Sequence, residues 1–230
     1  VAGGKGITIA DLNADGHADV VLAIEGSGAS VILGNGDGTF GTPASYNSSG
    51  NAIDVQVARF DAGPTLDLAV LNHDGTVAIL LGIGDGTFGA PITYSVGANP
   101  YRLAVGDLDR NGTLDLVTTN STDNQFALLK GNGDGTFDAP QAFATLATPY
   151  GVEVIDLDGD GAADVVVSNA NSQQLSVFRG NGDGTFAPRA DHPTAQTPFE
   201  LVFGRFDGVP TPDVATAASG STTSSVPSGL

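Results

Sequence analysis

The chain has 230 residues, with 33 glycines, 12 prolines and 40 % apolar side chains, enough for a packed core broken by frequent turns and too apolar for a disordered segment. Eight Lys and Arg stand against 26 Asp and Glu, a formal charge of −18, which argues against nucleic acid or an anionic membrane as a partner. Without cysteine there is neither disulfide nor thiolate metal site, and no run of 18 apolar residues offers a membrane-spanning helix.

Taken in order, residues 1–9 supply one strand and lead into DLNADGHAD at 11–19. A glycine-rich turn, GNGDGTF, follows at 34–40. It returns as GIGDGTF at 82–88 and as GNGDGTF at 131–137 and 180–186, at offsets of 48, 49 and 49 residues. The acidic stretch keeps the same beat, as DLDRNGTLD at 107–115 and DLDGDGAAD at 156–164. On the two remaining beats it is altered: RFDAGPTLD at 59–67 and RFDGVPTPD at 205–213 keep the third and ninth acids (Asp61, Asp67, Asp207, Asp213) and carry Arg59 and Arg205 at the first place.

One period reads as four short strands. In the third, residues 101–107 lead into the acidic loop and 114–119 leave it. Residues 120–124 make a polar turn and 125–130 a third strand. The glycine turn at 131–135 precedes an outer strand at 136–145, whose Pro140 suits a sheet edge. No window has a helical period with caps. Four strands per 48 residues predicts an all-β propeller of four-stranded antiparallel blades, at about 1–49, 50–97, 98–146 and 147–195, with a partial blade at 196–218 and a polar low-complexity tail at 219–230. About 4.5 blades favour part of a larger propeller; a five-bladed ring is the alternative. The start at Val1, without a basic and apolar leader, leads us to expect either a removed signal peptide or a segment of a longer chain.

Crowded carboxylates repel unless a cation sits among them. Hard oxygens at alternate positions, with glycine to fold the backbone back, are what Ca2+ takes. The expected ligands are Asp11, Asn13, Asp15 and Asp19 with the His17 carbonyl; Asp107, Asp109, Asn111 and Asp115 with the Thr113 carbonyl; and Asp156, Asp158, Asp160 and Asp164 with the Ala162 carbonyl. An EF-hand also begins D-x-[DN]-x-[DN]-G, but it needs Glu at position twelve and flanking helices. Here position twelve is Leu22, Thr118 and Val167, so Asp at position nine is expected to close the site. Arg59 and Arg205 are expected to replace the ion in their loops, Arg59 bridging Asp61 and Asp67, Arg205 bridging Asp207 and Asp213.

The D-x-[DN]-x-[DN]-G-x-x-D loops in phase with the G-[NI]-G-D-G-T-F turns resemble the FG-GAP/VCBS-type repeats of integrin α-subunit propellers and of many bacterial secreted proteins. The resemblance spans about residues 7–218. It implies a propeller whose calcium loops join the first and second strands of a blade, away from the usual ligand face. It also implies about three Ca2+ ions and a secreted or cell-surface module for recognition or adhesion, binding protein or polysaccharide and without catalysis of its own. The alternative it leaves open is the propeller domain of a secreted carbohydrate-active lyase or hydrolase.

Phe40, Phe88, Phe137 and Phe186 are expected to pack blade on blade, and Asp37, Asp85, Asp134 and Asp183 to cap their hairpins. His17, His73 and His192 share no phase and suggest no zinc site. Asn47 and Asn120 open glycosylation sequons. Tyr101, Tyr150 and Phe199 recur after Pro100, Pro149 and Pro198 at the end opposite the acidic loops, placed for packing or for a ligand.

Overall fold

The structure is a computed structural model and describes residues 4–194, 196–205 and 212–219. Among them there is no helix. Four sheets have four strands each, in sequential antiparallel order. Blade one is β1 (Gly4–Ala10), β2 (Asp19–Ile24), β3 (Gly28–Ile32) and β4 (Ala44–Tyr46). Blade two is β5 (Ala52–Ala58), β6 (Asp67–Asn72), β7 (Thr76–Leu80) and β8 (Ile92–Ser95). Blade three is β9 (Pro100–Gly106), β10 (Asp115–Asn120), β11 (Gln125–Leu129) and β12 (Gln141–Ala144). Blade four is β13 (Pro149–Ile155), β14 (Asp164–Asn169), β15 (Gln174–Phe178) and β16 (Ala190–Pro193). A two-stranded sheet follows, β17 (Thr197–Gly204) with β18 (Asp213–Ser219). This is the expected propeller, about four and a half blades, and among the described residues the sheets do not close a ring.

The core lies between blades. Successive first strands β1, β5, β9, β13 and β17 contact one another along the inner side. The second strands β6, β10 and β14 send alternate residues to opposite neighbours: Leu68 and Val70 of β6 join blade one, whereas Ala69 and Leu71 join blade three. Every residue of β6, β10 and β14 is therefore buried, whereas β2, with a blade on one side alone, alternates buried and half-buried. The uncovered side of blade one shows Ile7 and Ile9, each more than 60 % exposed.

The phenylalanines follow the same geometry. Phe88 meets Tyr46, Phe137 meets Phe60 and Tyr94, and Phe186 meets Phe126 and Phe143, each on the preceding blade. Phe40 has no preceding blade and is 54 % exposed. The outer strand of blade three is shorter than expected, because Phe137 closes the glycine turn by bridging Gly131 and Pro140 has no N–H to give. Ser219, expected in the polar tail, is the last residue of β18; the other tail residues, and Asp207, lie outside the described residues.

Candidate metal loops and the opposite mouth

Each acidic loop joins the first strand of a blade to the second. Its ninth residue starts that second strand, where the side chain is held inside the sheet edge. There the carboxylate bridges two backbone amides. Asp19 accepts from the N–H of Leu12 and of Gly34, both at 2.8 Å. Asp67 does so from Phe60 and Gly82, Asp115 from Leu108 and Gly131, and Asp164 from Leu157 and Gly180, at 2.8–3.0 Å. The second amide in each pair opens the glycine turn, so this aspartate ties loop to turn. Burial pushes the Asp67, Asp115 and Asp164 carboxyls above the usual range, and acidic neighbours add to it: Asp61 for the first, Asp109 and Asp107 for the second, Asp158 for the third.

The earlier positions curl the loop. Asp11 accepts from Asp15 and Gly16, Asp107 from Asn111 and Gly112, and Asp156 from Gly159 and Gly161. Position five bonds the amide two residues on: Asp15 to His17, Asn111 to Thr113, Asp160 to Ala162. Position four takes a left-handed backbone, at Ala14 (φ 59°), Arg110 (φ 58°) and Gly159 (φ 79°).

Positions one, three and nine converge in two loops. One oxygen each from Asp107, Asp109 and Asp115 lies within 4.8 Å of the others, and likewise for Asp156, Asp158 and Asp164. Asp160 is outside its triad. Loop one has Asn13 at the third place, with its amide on Asp15, and forms no triad of acids. A trio of hard oxygens at that spacing fits a calcium ion, whose ligands stand 2.3–2.6 Å from it. The chain's own cations are drawn to the same groups: the Lys130 ammonium lies 3.4 Å from Asp109, and Arg179 Nη1 lies 2.6 Å from Asp158 and 3.6 Å from Asp164. In loop two, Arg59 departs from expectation. It donates to the Pro64 carbonyl at 3.2 Å, and no ion pair joins it to Asp61 or Asp67. Asp67 faces inward to its two amides, away from such a bridge, and Asp61 accepts from the Gly63 amide.

Three basic residues were missed in reading the sequence. Lys130 and Arg179 immediately precede a glycine turn, the phase at which blades one and two have Leu33 and Leu81. Leu33, Leu81 and Lys130 all lie over the turn glycine of the next blade, Gly86, Gly135 and Gly184. Arg110 is the third. The turn aspartates do cap their hairpins: Asp37, Asp85, Asp134 and Asp183 each accept from the amide and hydroxyl of the threonine two residues on, which holds their carboxyls below the usual range. Of the two sequons, Asn47 is exposed, whereas Asn120 is fully buried and donates to the Val96 carbonyl.

The inner strands run seven or eight residues, so their other ends lie roughly 20 Å from the loops. There Tyr101 stacks on Tyr150 at 4.4 Å, and Tyr150 meets Phe199 edge-on at 5.0 Å. A cleft of about 190 Å3 opens beside them, lined by Ile53, His73, Pro100, Tyr101, Arg102 and Tyr150. Arg102 reaches Glu200, two blades on, with two N–H groups while lying over the Tyr150 ring at 5.3 Å. Deeper on the inner side, burial, with the Glu200 charge adding to it, pushes Asp54 to about 6 and Glu153 to about 7. Arg102 and two backbone amides, of Leu103 and Val55, pull Asp54 back.

Sequential four-stranded blades with acidic loops at one rim define a β-propeller of the loop-and-turn repeat class. FG-GAP-like repeats match residues 11–62, 64–118 and 111–167, and the chain belongs to that family. Among curated proteins none matches. Solved structures share the fold at low identity. A Tc holotoxin pore of Photorhabdus luminescens is 19 % identical at TM-score 0.55, over 95 % of this chain and 11 % of that one. An Agrocybe aegerita lectin that recognises non-reducing terminal N-acetylglucosamine is 21 % identical at TM-score 0.59, over 92 % of this chain and 60 % of that one. BBS1N, solved in complex with ARL6DN, is 14 % identical at TM-score 0.65, over 94 % and 62 %. The chain thus spans less than two thirds of each.

Proposed function

We propose that this chain is an extracellular, calcium-stabilised propeller module for recognition or adhesion, which binds a protein or polysaccharide at the mouth opposite its acidic loops. The observation that carries the reading is the aromatic row Tyr101, Tyr150 and Phe199 across three successive blades, beside a cleft edged by Arg102 and His73. Stacked rings with a nearby cation offer a flat apolar surface and hydrogen-bond donors, the combination that holds a sugar ring or a side chain. Residues Asp107, Asp109 and Asp115, and Asp156, Asp158 and Asp164, would hold the ions. Asp11, Asn13, Asp15 and Asp19 form a weaker third site. Asn111 and Asp160, and the carbonyls of His17, Thr113 and Ala162, complete the three shells. Bound calcium cancels repulsion at the loop rim. The bare side of blade one, with Ile7, Ile9 and Phe40, fits a module that sits within a larger wheel.

The test is a melting curve with millimolar calcium and with EDTA, followed by metal counting and by a glycan and protein array with Tyr150→Ala as control. A site of micromolar affinity adds about 4 kcal/mol in millimolar calcium. Unchanged melting and no bound metal would sink the calcium role; array signals equal for both chains would remove the mouth from it. A second reading, the propeller of a carbohydrate-active lyase or hydrolase, draws on Glu153, a carboxyl that burial on the inner side pushes up to about 7. Polysaccharide cleavage lost in Glu153→Gln would support it.

A further inference from the structure

Position seven has a packing role in the first three loops. The His17, Thr65 and Thr113 side chains lie over the second glycine of their own blade's turn: a Cβ built on Gly36, Gly84 or Gly133 would stand 2.3, 2.9 or 2.8 Å from them. In blade four that position is Ala162, too short to reach. The space over Gly182 is filled from the preceding blade, by Arg110, whose Nε stands 2.9 Å from a Cβ built there. Arg110 also donates from Nε to the Gly161 carbonyl at 3.1 Å and from Nη2 to the Asp160 carbonyl at 2.9 Å, and Nη2 lies 3.5 Å from the Asp160 carboxylate. It is the left-handed fourth residue of loop three, seated between Asp109 and Asn111. One side chain thus carries the backbone setting of loop three into loop four.

We propose that Arg110 is a positioning residue that links the two loops, so that a divalent cation taken up by loop three raises the affinity of loop four, and the reverse. The proposal rests on the calcium reading above. A cation held by Asp107, Asp109 and Asn111 fixes the backbone on both sides of Arg110. The guanidinium then holds the 160–161 segment in the curl that points the Asp156 and Asp158 carboxylates inward. Coupling between sites is reciprocal by thermodynamic necessity, and filling one linked site typically changes the affinity of the other about fivefold or more.

Two amides report the loops separately: Gly112, which donates to Asp107, and Gly161, which donates to Asp156. Their NMR shifts are followed during calcium titration of the 230-residue chain. Asp109→Ala is expected to weaken loop four, read at Gly161, at least fivefold, and Asp158→Ala to weaken loop three, read at Gly112, by the same factor. With Arg110→Ala, or with Arg110→Lys, which keeps the charge but loses the two-carbonyl grip, Asp109→Ala should change the Gly161 midpoint less than twofold. Asp109→Asn replaces Asp109→Ala if the latter does not fold. Independent midpoints in the presence of Arg110, or linkage that survives its removal, overturn the proposal alone. Silence of both amides to calcium overturns it together with the calcium reading.

Discussion

Asp67 offers the clearest separation of architecture from metal chemistry. Its loop has Arg59 where the others have the first aspartate, yet its side chain is buried and accepts two amide hydrogen bonds of 2.8 Å. Asp67→Ala leaves the Phe60 and Gly82 amides facing each other without an acceptor. A buried amide stripped of its partner costs about 1–3 kcal/mol, so the pair costs roughly 2–6 kcal/mol. At about 2–4 °C per kcal/mol for a domain of this size, melting should fall on the order of 10 °C. Asp67→Asn keeps one acceptor oxygen but turns an N–H2 toward the other amide, and should recover little. The assay is thermal unfolding followed by circular dichroism, with millimolar calcium and with EDTA. The drop should be the same in both, because nothing in loop two is reserved for an ion. A loss under about 1 kcal/mol, or one present with calcium alone, refutes the reasoning.

Three further outcomes follow from the inner side and the loop rim. Glu153 is raised from 4.5 to about 7 by burial and by Glu200 and Asp54, so the native state holds a proton that the unfolded chain has lost; stability therefore falls as pH rises between about 4.5 and 7, and Glu153→Gln should remove that slope and gain about 1–2 kcal/mol at pH 8 after solvent screening, read from melts at pH 5 and 8. Gly151→Ala puts a methyl 2.4 Å from the Phe199 carbonyl and crowds Ser168, so β17 must shift, at about 1–3 kcal/mol, with weaker protection of β17 amides from hydrogen exchange. Arg179→Leu removes a cation from beside Asp158 and Asp164, and should strengthen calcium at loop four in a Gly161-monitored titration, with the Gly112 midpoint in loop three moving the same way through the Arg110 linkage and by a smaller factor.

Much of this was legible because the period repeats both backbone and chemistry. Strand order, the loops and the threonine-capped turns all rest on contacts within a few residues, and local patterns carry those. The pair of hydrogen bonds accepted by the ninth aspartate was not legible. Its partners lie 7 and 15–16 residues away, and the second is reached after the chain has turned back through two strands. Reading that residue from the loop alone suggests a metal ligand, and its presence in RFDAGPTLD, where the first acid is gone, was the one hint of another job. Arg110 touches residues 50 and 51 positions on, so no window contains the contact. The signal lay in the alignment of the periods, where Ala162 breaks the series His17, Thr65 and Thr113. The Asn120 sequon failed for a related reason: strand burial is set by neighbouring blades, and β10 has one on each side.

The nine-residue motif therefore holds two devices that share residues but not purpose. The ninth position builds the blade, and the first, third and fifth gather charge. The devices work against each other in the absence of a cation, since the Asp109 and Asp107 charges push the already buried Asp115 further from its ionised form, and Asp158 does the same to Asp164. Loop two avoids most of that conflict by dropping its first acid, which leaves Asp61 as the carboxylate acting on Asp67. Loops three and four keep the acids at positions one, three and nine and meet their repulsion in part with Lys130 and Arg179, single charges each tethered to a strand end. A divalent ion would reverse the sign of the field at Asp115 and Asp164, so the loops most strained by their own acids are the ones in which a bound cation stabilises most.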